Sequence, residues 1–183
     1  GELLFLKYLF DKLEIRESIT AWTGPDRLCK DFLIGSIGFE IKSKKSGLDA
    51  TVKISSEYQL FEDNLKKLFL LVFTVDKTFK SDFQGKTLSQ IVEEFRDFIG
   101  LKDLNCIEQF NTKLQAYGFY DHHDYSKDFW LVNNDFVVYE IFDEFPRITV
   151  NDINPSFINR VNYDLSINKL EEYNLEIFNK VFD

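Results

Sequence analysis

The sequence predicts a mixed α/β domain. Segments with the two-residue period of strands flank a Gly35-Ser36 turn signal, and segments with helical periodicity lie before and after them. The chain has 183 residues, of which 44% are apolar, so one domain with a sizeable core can form.

The first part of the chain predicts one helix and three strands. Residues 3–13 are apolar on most sides and are expected to form a buried helix. Gly and Pro mark a loop at 22–25. Strands are then expected at 28–34, 37–43 and 50–55.

The middle of the chain predicts a central strand and two helices. Residues 68–75 form a continuous uncharged apolar run, which is typical of a strand covered on both faces. A helix is expected to begin at Thr87, because Gln90 three residues later completes a capping box, and to end at Gly100. Apolar residues at helical spacing predict a second helix at 107–117.

The last part returns to strand patterns. Strands are expected at 129–132 and 136–142, joined by a hairpin turn at 133–135, and a further alternating segment lies at 161–167. No linker divides the chain, so 1–183 is expected to be a single domain with a core at about 1–100 and a C-terminal α+β extension at about 101–183. No Met occurs, which predicts the C-terminal part of a longer protein.

Composition restricts the function classes. The net charge of −9 excludes a protein that coats nucleic acid by bulk attraction, but it permits an enzyme whose acidic groups hold metal. Cys29 and Cys106 have no motif spacing, so a reducing, cytoplasmic setting is expected. No apolar run is long enough to cross a membrane.

The predicted hairpin carries the candidate catalytic residues Asp31, Glu40 and Lys42. With Gly35-Ser36 as the turn, Asp31 lies opposite Glu40, and Lys42 follows two residues later on the same face. With a turn at 36–37, Asp31 would instead lie opposite Lys42. Both two-residue registers keep all three charges on one face.

Two opposed carboxylates persist when one of them takes a proton or when a cation lies between them, and Mg²⁺ or Mn²⁺ with oxygen ligands is a cation of this kind. The backbone carbonyl of Ile41 is a further candidate ligand. Lys42 would orient water or neutralise charge on a phosphate, so the arrangement suits phosphodiester hydrolysis. An exposed sheet face with ordinary charged residues would show the same spacing. Lys44 and Lys45 adjoin the hairpin and are candidate DNA contacts, as is Ser55, a solvated strand edge being the alternative for the lysines.

A series of short motifs spans nearly the whole chain: Gly1-Glu2-Leu3, Trp22-Thr23-Gly24-Pro25, Asp31-Phe32, Glu40-Ile41-Lys42-Ser43, Ile54-Ser55, Gln59-Leu60, Gly85-Lys86-Thr87-Leu88, Gly118-Phe119, Phe145-Pro146-Arg147-Ile148 and Val161-Asn162-Tyr163. The order of these motifs resembles the restriction-endonuclease-like core of the PD-(D/E)XK superfamily, and more narrowly a bacterial family named "PD-(D/E)XK motif proteins" that occurs beside methyltransferases and defence genes.

The resemblance implies a metal-dependent DNA endonuclease of a restriction or phage-defence system. It implies that Asp31 and Glu40 bind metal and that Lys42 assists catalysis. Glu2 on the first helix would complete the site, and Gln59 would contact metal-bound water or the DNA backbone. Lys30 replaces the proline that precedes the aspartate in the named motif.

Alternatives from other classes stay open. The same fold would serve a non-catalytic interaction or DNA-binding subunit of a defence complex, and the same site would serve an exonuclease or junction-resolving enzyme. Expected partners are DNA and other proteins of such a system. A homodimer is one possible assembly.

Overall fold

The computed structural model describes residues 1–47, 50–175 and 178. The end of the predicted extension, at 179–183, lies outside the described residues. The helices and strands are α1 (Glu2–Phe10), α2 (Ile15–Ala21), β1 (Phe32–Ile34), β2 (Ile37–Lys44), β3 (Thr51–Ile54), β4 (Lys67–Thr78), α3 (Leu88–Lys102), α4 (Cys106–Ala116), β5 (Phe129–Ile141) and β6 (Tyr163–Ser166). Short 3-10 turns lie at Gly24–Asp26, Val150–Asp152, Ile167–Lys169 and Glu171–Tyr173.

The main sheet is mixed and has the order β1-β2-β4-β5. β2 runs antiparallel to β1 and parallel to β4, and β5 is antiparallel to β4. β3 and β6 form a separate antiparallel pair. The predicted mixed α/β fold is confirmed.

The sheet lies between two apolar cores. On one face, Phe39, Phe69 and Phe73 pack with apolar residues of all four helices. On the other face, Leu70 and Val72 pack with residues of β3 and β6. β4 therefore has six consecutive buried residues, Leu68 to Phe73, as expected for its continuous apolar run.

The predicted hairpin register is confirmed. Phe32 pairs with Phe39 and Ile34 with Ile37, so the turn is Gly35-Ser36. Gly35 has φ +57°, a left-handed conformation that glycine adopts without steric cost.

The capping box that predicted α3 is also present, because the Thr87 side chain accepts from Gln90 N–H while the Gln90 side chain accepts from Thr87 N–H. α3 continues to Lys102, two residues beyond the predicted end at Gly100. α2 was not predicted. Its first residue follows Glu14, whose side chain makes no capping hydrogen bond, so this short helix lacks a local start signal.

The predicted hairpin turn at 133–135 is wrong. β5 continues from Phe129 to Ile141, and its pairing with β4 shifts between Phe73 and Val75. Phe73 pairs with Phe136 and Val75 with Val132, so the backbone of 133–135 spans an irregularity opposite a single β4 residue. The Asn-Asn-Asp sequence thus marks a bulge, which interrupts pairing without reversing the chain.

No helix in the described part of the chain is both long and apolar enough to cross a membrane.

Candidate active site

Glu40 and Lys42 lie on β2, on the face that β3 and β6 cover. They stand in register with Leu70 and Val72 of β4, which belong to that core. Glu40 is 1% exposed. Lys42 Nζ lies 2.7 Å from Glu40 Oε1, so the buried carboxylate has a cationic partner two residues further along the same strand.

Asp31 lies just before β1 and is held by the segment that precedes it. Thr23 and Gly24 both donate their backbone N–H to the Asp31 carbonyl, at 2.8 and 2.9 Å. The Thr23 hydroxyl donates to the carbonyl of Lys30 at 2.8 Å. The Trp22-Thr23-Gly24 segment therefore fixes the backbone from which the Asp31 carboxylate projects.

The Asp31 side chain is directed at the edge of β2. Its Oδ2 accepts a hydrogen bond of 2.7 Å from the backbone N–H of Ile41. The N–H and C=O of one strand residue point to the same side, so the Ile41 carbonyl lies on the edge of β2 that faces Asp31. The pairing of β1 with β2 ends at Phe39, which leaves this part of the β2 edge outside the hairpin ladder.

Glu2, in the first turn of α1, brings a second carboxylate close to that of Asp31. Its Oε2 accepts hydrogen bonds from Trp22 Nε1 at 2.7 Å and from the Tyr117 hydroxyl at 2.6 Å. A Cβ at Gly24 would lie 2.7 Å from Glu2 Oε2 and 3.3 Å from Asp31 Oδ1. The two carboxylates therefore converge on the Gly24 backbone, which has no side chain to separate them.

The pKa values of Asp31 and Glu40 are raised in this site. Burial, and then the negative charges of Glu40 and Glu2, raise the pKa of Asp31 from 3.8 to about 8. Burial also raises the pKa of Glu40, and the charges of Lys42 and Lys30 oppose that rise. Without a cation the site thus favours a protonated Asp31 at neutral pH.

Lys30, which stands where the PD-(D/E)XK motif has proline, is buried next to the candidate site. It is 4% exposed, and its Nζ donates to the carbonyls of Tyr58 and Gln59 at 2.5 and 3.1 Å. Burial lowers the pKa of Lys30, and the charge of Glu40 opposes this. Through these hydrogen bonds Lys30, which directly precedes Asp31, connects the site to the turn after β3.

The other predicted residues lie around this centre. Gln59 Oε1 accepts from the backbone N–H of Ser55 at 2.7 Å, so its amide oxygen closes a local turn, and Gln59 is linked to the site through Lys30. Lys44 ends β2, and Lys44 and Lys45 line a cavity that Glu2 also lines.

The donor set consists of hard oxygen atoms. The Asp31 and Glu2 carboxylates approach each other at Gly24, and Asp31 also contacts the β2 edge at Ile41. Carboxylate and carbonyl oxygens of this kind fit Mg²⁺ or Mn²⁺. Within the described residues, no group of three His, Cys, Asp or Glu side chains has a ready metal-binding arrangement. The donor set thus combines the predicted carboxylates with a backbone carbonyl, and Mg²⁺ commonly uses one or two carboxylates with water.

Sequence reasoning missed the residues that support Glu2. Trp22 and Tyr117 both donate to the Glu2 carboxylate. Tyr117 lies 115 residues from Glu2, and no local pattern joins them.

A mixed sheet with the acidic hairpin at its edge and helices on one face defines a restriction-endonuclease-like α/β domain, as predicted. Residues 1–168 match the family described as "Putative PD-(D/E)XK family member, (DUF4420)", and the chain belongs to this family. The predicted superfamily and a nuclease-like fold are thereby confirmed. No curated protein and no solved structure matches the chain at a significant level.

Proposed function

We propose that this chain is a metal-dependent deoxyribonuclease that hydrolyses phosphodiester bonds, acting as an endonuclease in a bacterial restriction or phage-defence system. The observation that carries the proposal is the convergence of Glu2 and Asp31 on Gly24, beside the β2 edge that carries Ile41. Membership of a nuclease-fold family supports it. The defence setting, a cytoplasmic location and partner proteins of that system rest on the resemblance of the chain to defence-associated proteins.

Asp31, Glu40 and the Ile41 carbonyl would hold Mg²⁺ or Mn²⁺, and Glu2 would complete the site. When bound, the ion polarises the phosphoryl oxygen and lowers the pKa of the attacking water. Deprotonated Asp31 is the form that binds a cation, so the ion would replace the proton that the acidic cluster favours in its absence.

Lys42 would orient the attacking water and neutralise charge on the phosphate. Glu40 supports this role, because its Oε1 holds Lys42 Nζ at 2.7 Å and restricts where the ammonium group can lie. Gln59 would assist through its amide group. Lys44, Lys45 and Ser55 would contact the DNA backbone.

The test is cleavage of supercoiled plasmid with Mg²⁺ or Mn²⁺ by the wild type and by Asp31→Asn and Lys42→Ala. Both variants are expected to lose at least 100-fold in rate, by loss of a metal ligand and of the positioned cation. Asp97→Asn on the exposed side of α3 is the matched control and is expected to cleave normally. Equal cleavage by the wild type and both site variants would overturn the assignment.

A second candidate is a nuclease-fold subunit without catalysis. The ion pair between Glu40 and Lys42 favours it, because each group already compensates the other's charge. Isothermal titration with Mn²⁺ separates the two functions. The nuclease is expected to bind Mn²⁺ and to lose binding in Asp31→Asn, whereas a scaffold would give no heat with either protein.

A further inference from the structure

A cavity of about 680 Å³ opens beside the candidate active site. This volume lies within the range of about 300–1,000 Å³ that is typical of small-molecule sites. Most of its lining is apolar, with side chains from the helices and from β4 and β5. Five aromatic residues contribute to the wall. Trp22 and Phe119 are buried behind it, and Tyr117, Tyr125 and Trp130 are the accessible ones.

The cavity adjoins the candidate site at Glu2. Glu2 and Tyr117 line it, and these two residues share the hydrogen bond of 2.6 Å that orients the Glu2 carboxylate. Ser43, Lys44 and Lys45 also line it, directly after Lys42 on the chain. Ser43 and Lys45 are exposed, so they form the solvent-facing rim. A ligand in the cavity therefore has the Glu2 carboxylate at one side and cationic groups at its entrance.

We propose that this cavity binds an unpaired nucleobase of the DNA strand whose phosphate occupies the active site. The inference rests on the proposed function and adds to it a substrate class, namely DNA with an unpaired base next to the cleaved bond. Aromatic side chains stack on the flat face of any base, and lysines at the rim neutralise the neighbouring phosphates. Both kinds of group are present here, because accessible aromatic side chains line the cavity and Lys44 and Lys45 lie with them.

The chemistry of the wall also defines what the cavity would not select. Glu2, Ser43 and Tyr117 supply few polar groups for base edges, and the Glu2 oxygen Oε2 is already bonded to Trp22 and Tyr117. The site therefore selects for an exposed base rather than for a particular base. Extrusion costs least where the base is mismatched or already single-stranded, so such positions are cleaved preferentially.

Tryptophan fluorescence tests the binding directly, because both tryptophans of the chain, Trp22 and Trp130, line this cavity. The probes are a short single-stranded oligonucleotide and the same oligonucleotide with abasic positions throughout, both in EDTA. The base-containing strand is expected to quench the emission and to bind at least ten-fold more tightly than the abasic strand. Equal quenching by the two strands would overturn the proposal. Absence of quenching by both strands would also overturn the proposal and would favour an apolar protein segment as the occupant of the cavity.

Substitutions that fill the cavity provide a second test, with a surface substitution as the control. Ile91→Phe and Leu88→Phe place extra volume in the wall, and Leu101→Phe adds the same ring at a position of α3 that is 86% exposed. The first two are expected to weaken the base-dependent quenching at least ten-fold, and Leu101→Phe is expected to leave it unchanged. Two wall variants are used so that one that fails to fold does not decide the result. Unchanged quenching in a folded wall variant counts against the cavity.

Cleavage assays separate this inference from the proposed function. Duplex DNA with one mismatch is expected to be cut at least ten-fold faster than the matched duplex, and the wall variants are expected to abolish that preference. Cleavage that depends on Asp31 but shows no preference contradicts the cavity inference alone. Base-dependent quenching without any metal-dependent cleavage contradicts the proposed nuclease alone.

Discussion

The carboxylates of Glu2 and Asp31 meet over the backbone of Gly24. A Cβ at Gly24 would lie 2.7 Å from Glu2 Oε2 and 3.3 Å from Asp31 Oδ1, and it would also collide with the Tyr117 hydroxyl. Two acidic side chains from distant parts of the chain therefore share a space that only glycine leaves open.

Gly24→Ala tests this close approach. The added methyl group is expected to push the Glu2 and Tyr117 side chains apart, to weaken Mn²⁺ binding at least ten-fold, and to cost about 1–3 kcal/mol of unfolding free energy by overpacking. Titration calorimetry and urea denaturation measure the two effects. Gly100→Ala is the control, because its Cβ would meet only the end of the Ile107 side chain, at 3.2 Å. Normal Mn²⁺ affinity in Gly24→Ala would show that this space does not matter.

The raised pKa of Asp31 predicts a pH dependence of stability in the absence of metal. Because the pKa rises from 3.8 to about 8 on folding, the native state binds more protons than the unfolded state between these values. The stabilisation is fully present below pH 3.8 and is lost as pH rises through about 8. Thermal unfolding in EDTA is expected to show this loss as a melting temperature that falls between pH 5 and pH 9.

Mn²⁺ is expected to counter that loss, because the cation binds the deprotonated carboxylate and binds more tightly as pH rises. Asp31→Asn is the informative variant, since it removes both the titrating group and a metal ligand. Its melting temperature is expected to depend less on pH and to respond less to Mn²⁺. A wild-type melting temperature that rises steadily with pH in EDTA would be the opposite of this expectation.

Tyr117→Phe tests the support of Glu2. The variant removes one of two donors to Glu2 Oε2 and keeps the ring, whose centroid lies 5.8 Å from that of Trp22. Loss of a partner that orients a metal ligand typically costs 10–100-fold, and a drop of about that size is expected in Mn²⁺ affinity and cleavage rate. Tyr120→Phe, in the neighbouring exposed segment, is expected to behave as wild type. Full activity of Tyr117→Phe would limit Tyr117 to packing.

Lys30→Met tests the lysine that replaces the motif proline. The change leaves the carbonyls of Tyr58 and Gln59 without their buried donor and removes a cation near Glu40, so about 1–3 kcal/mol of stability is expected to be lost. Urea denaturation measures this loss. Lys66→Met, at an exposed position, is expected to change stability by less than about 0.5 kcal/mol. Equal stability of the two variants would mean that Lys30 is dispensable.

The hairpin could be predicted because its signals are local. Gly35 tolerates the positive φ of the turn, and the apolar residues on both sides of it bring Phe32 opposite Phe39. That register also brings Asp31 close to β2. The spacing of the charged residues did not reveal the direction of the Asp31 side chain, which accepts a hydrogen bond from the Ile41 N–H at the strand edge.

Elements without local signals were missed or misassigned. α2 has no side-chain cap and is stabilised by burial of residues such as Ile15 and Ile19 against the core. The Asn-Asn-Asp segment has turn composition, but the long pairing of β4 with β5 outweighs that local preference and absorbs the segment as a bulge.

The sequence by itself determined the α/β class, the hairpin register and the placement of Glu40 and Lys42 on one face of β2, because these depend on neighbours in the chain. Only the tertiary structure decided how the site is completed. Glu2 meets Asp31 over Gly24, and Tyr117 reaches Glu2 from the end of α4, through contacts between residues far apart in sequence. Such contacts form when buried apolar faces bring the elements together, and that packing leaves no periodic pattern in the sequence.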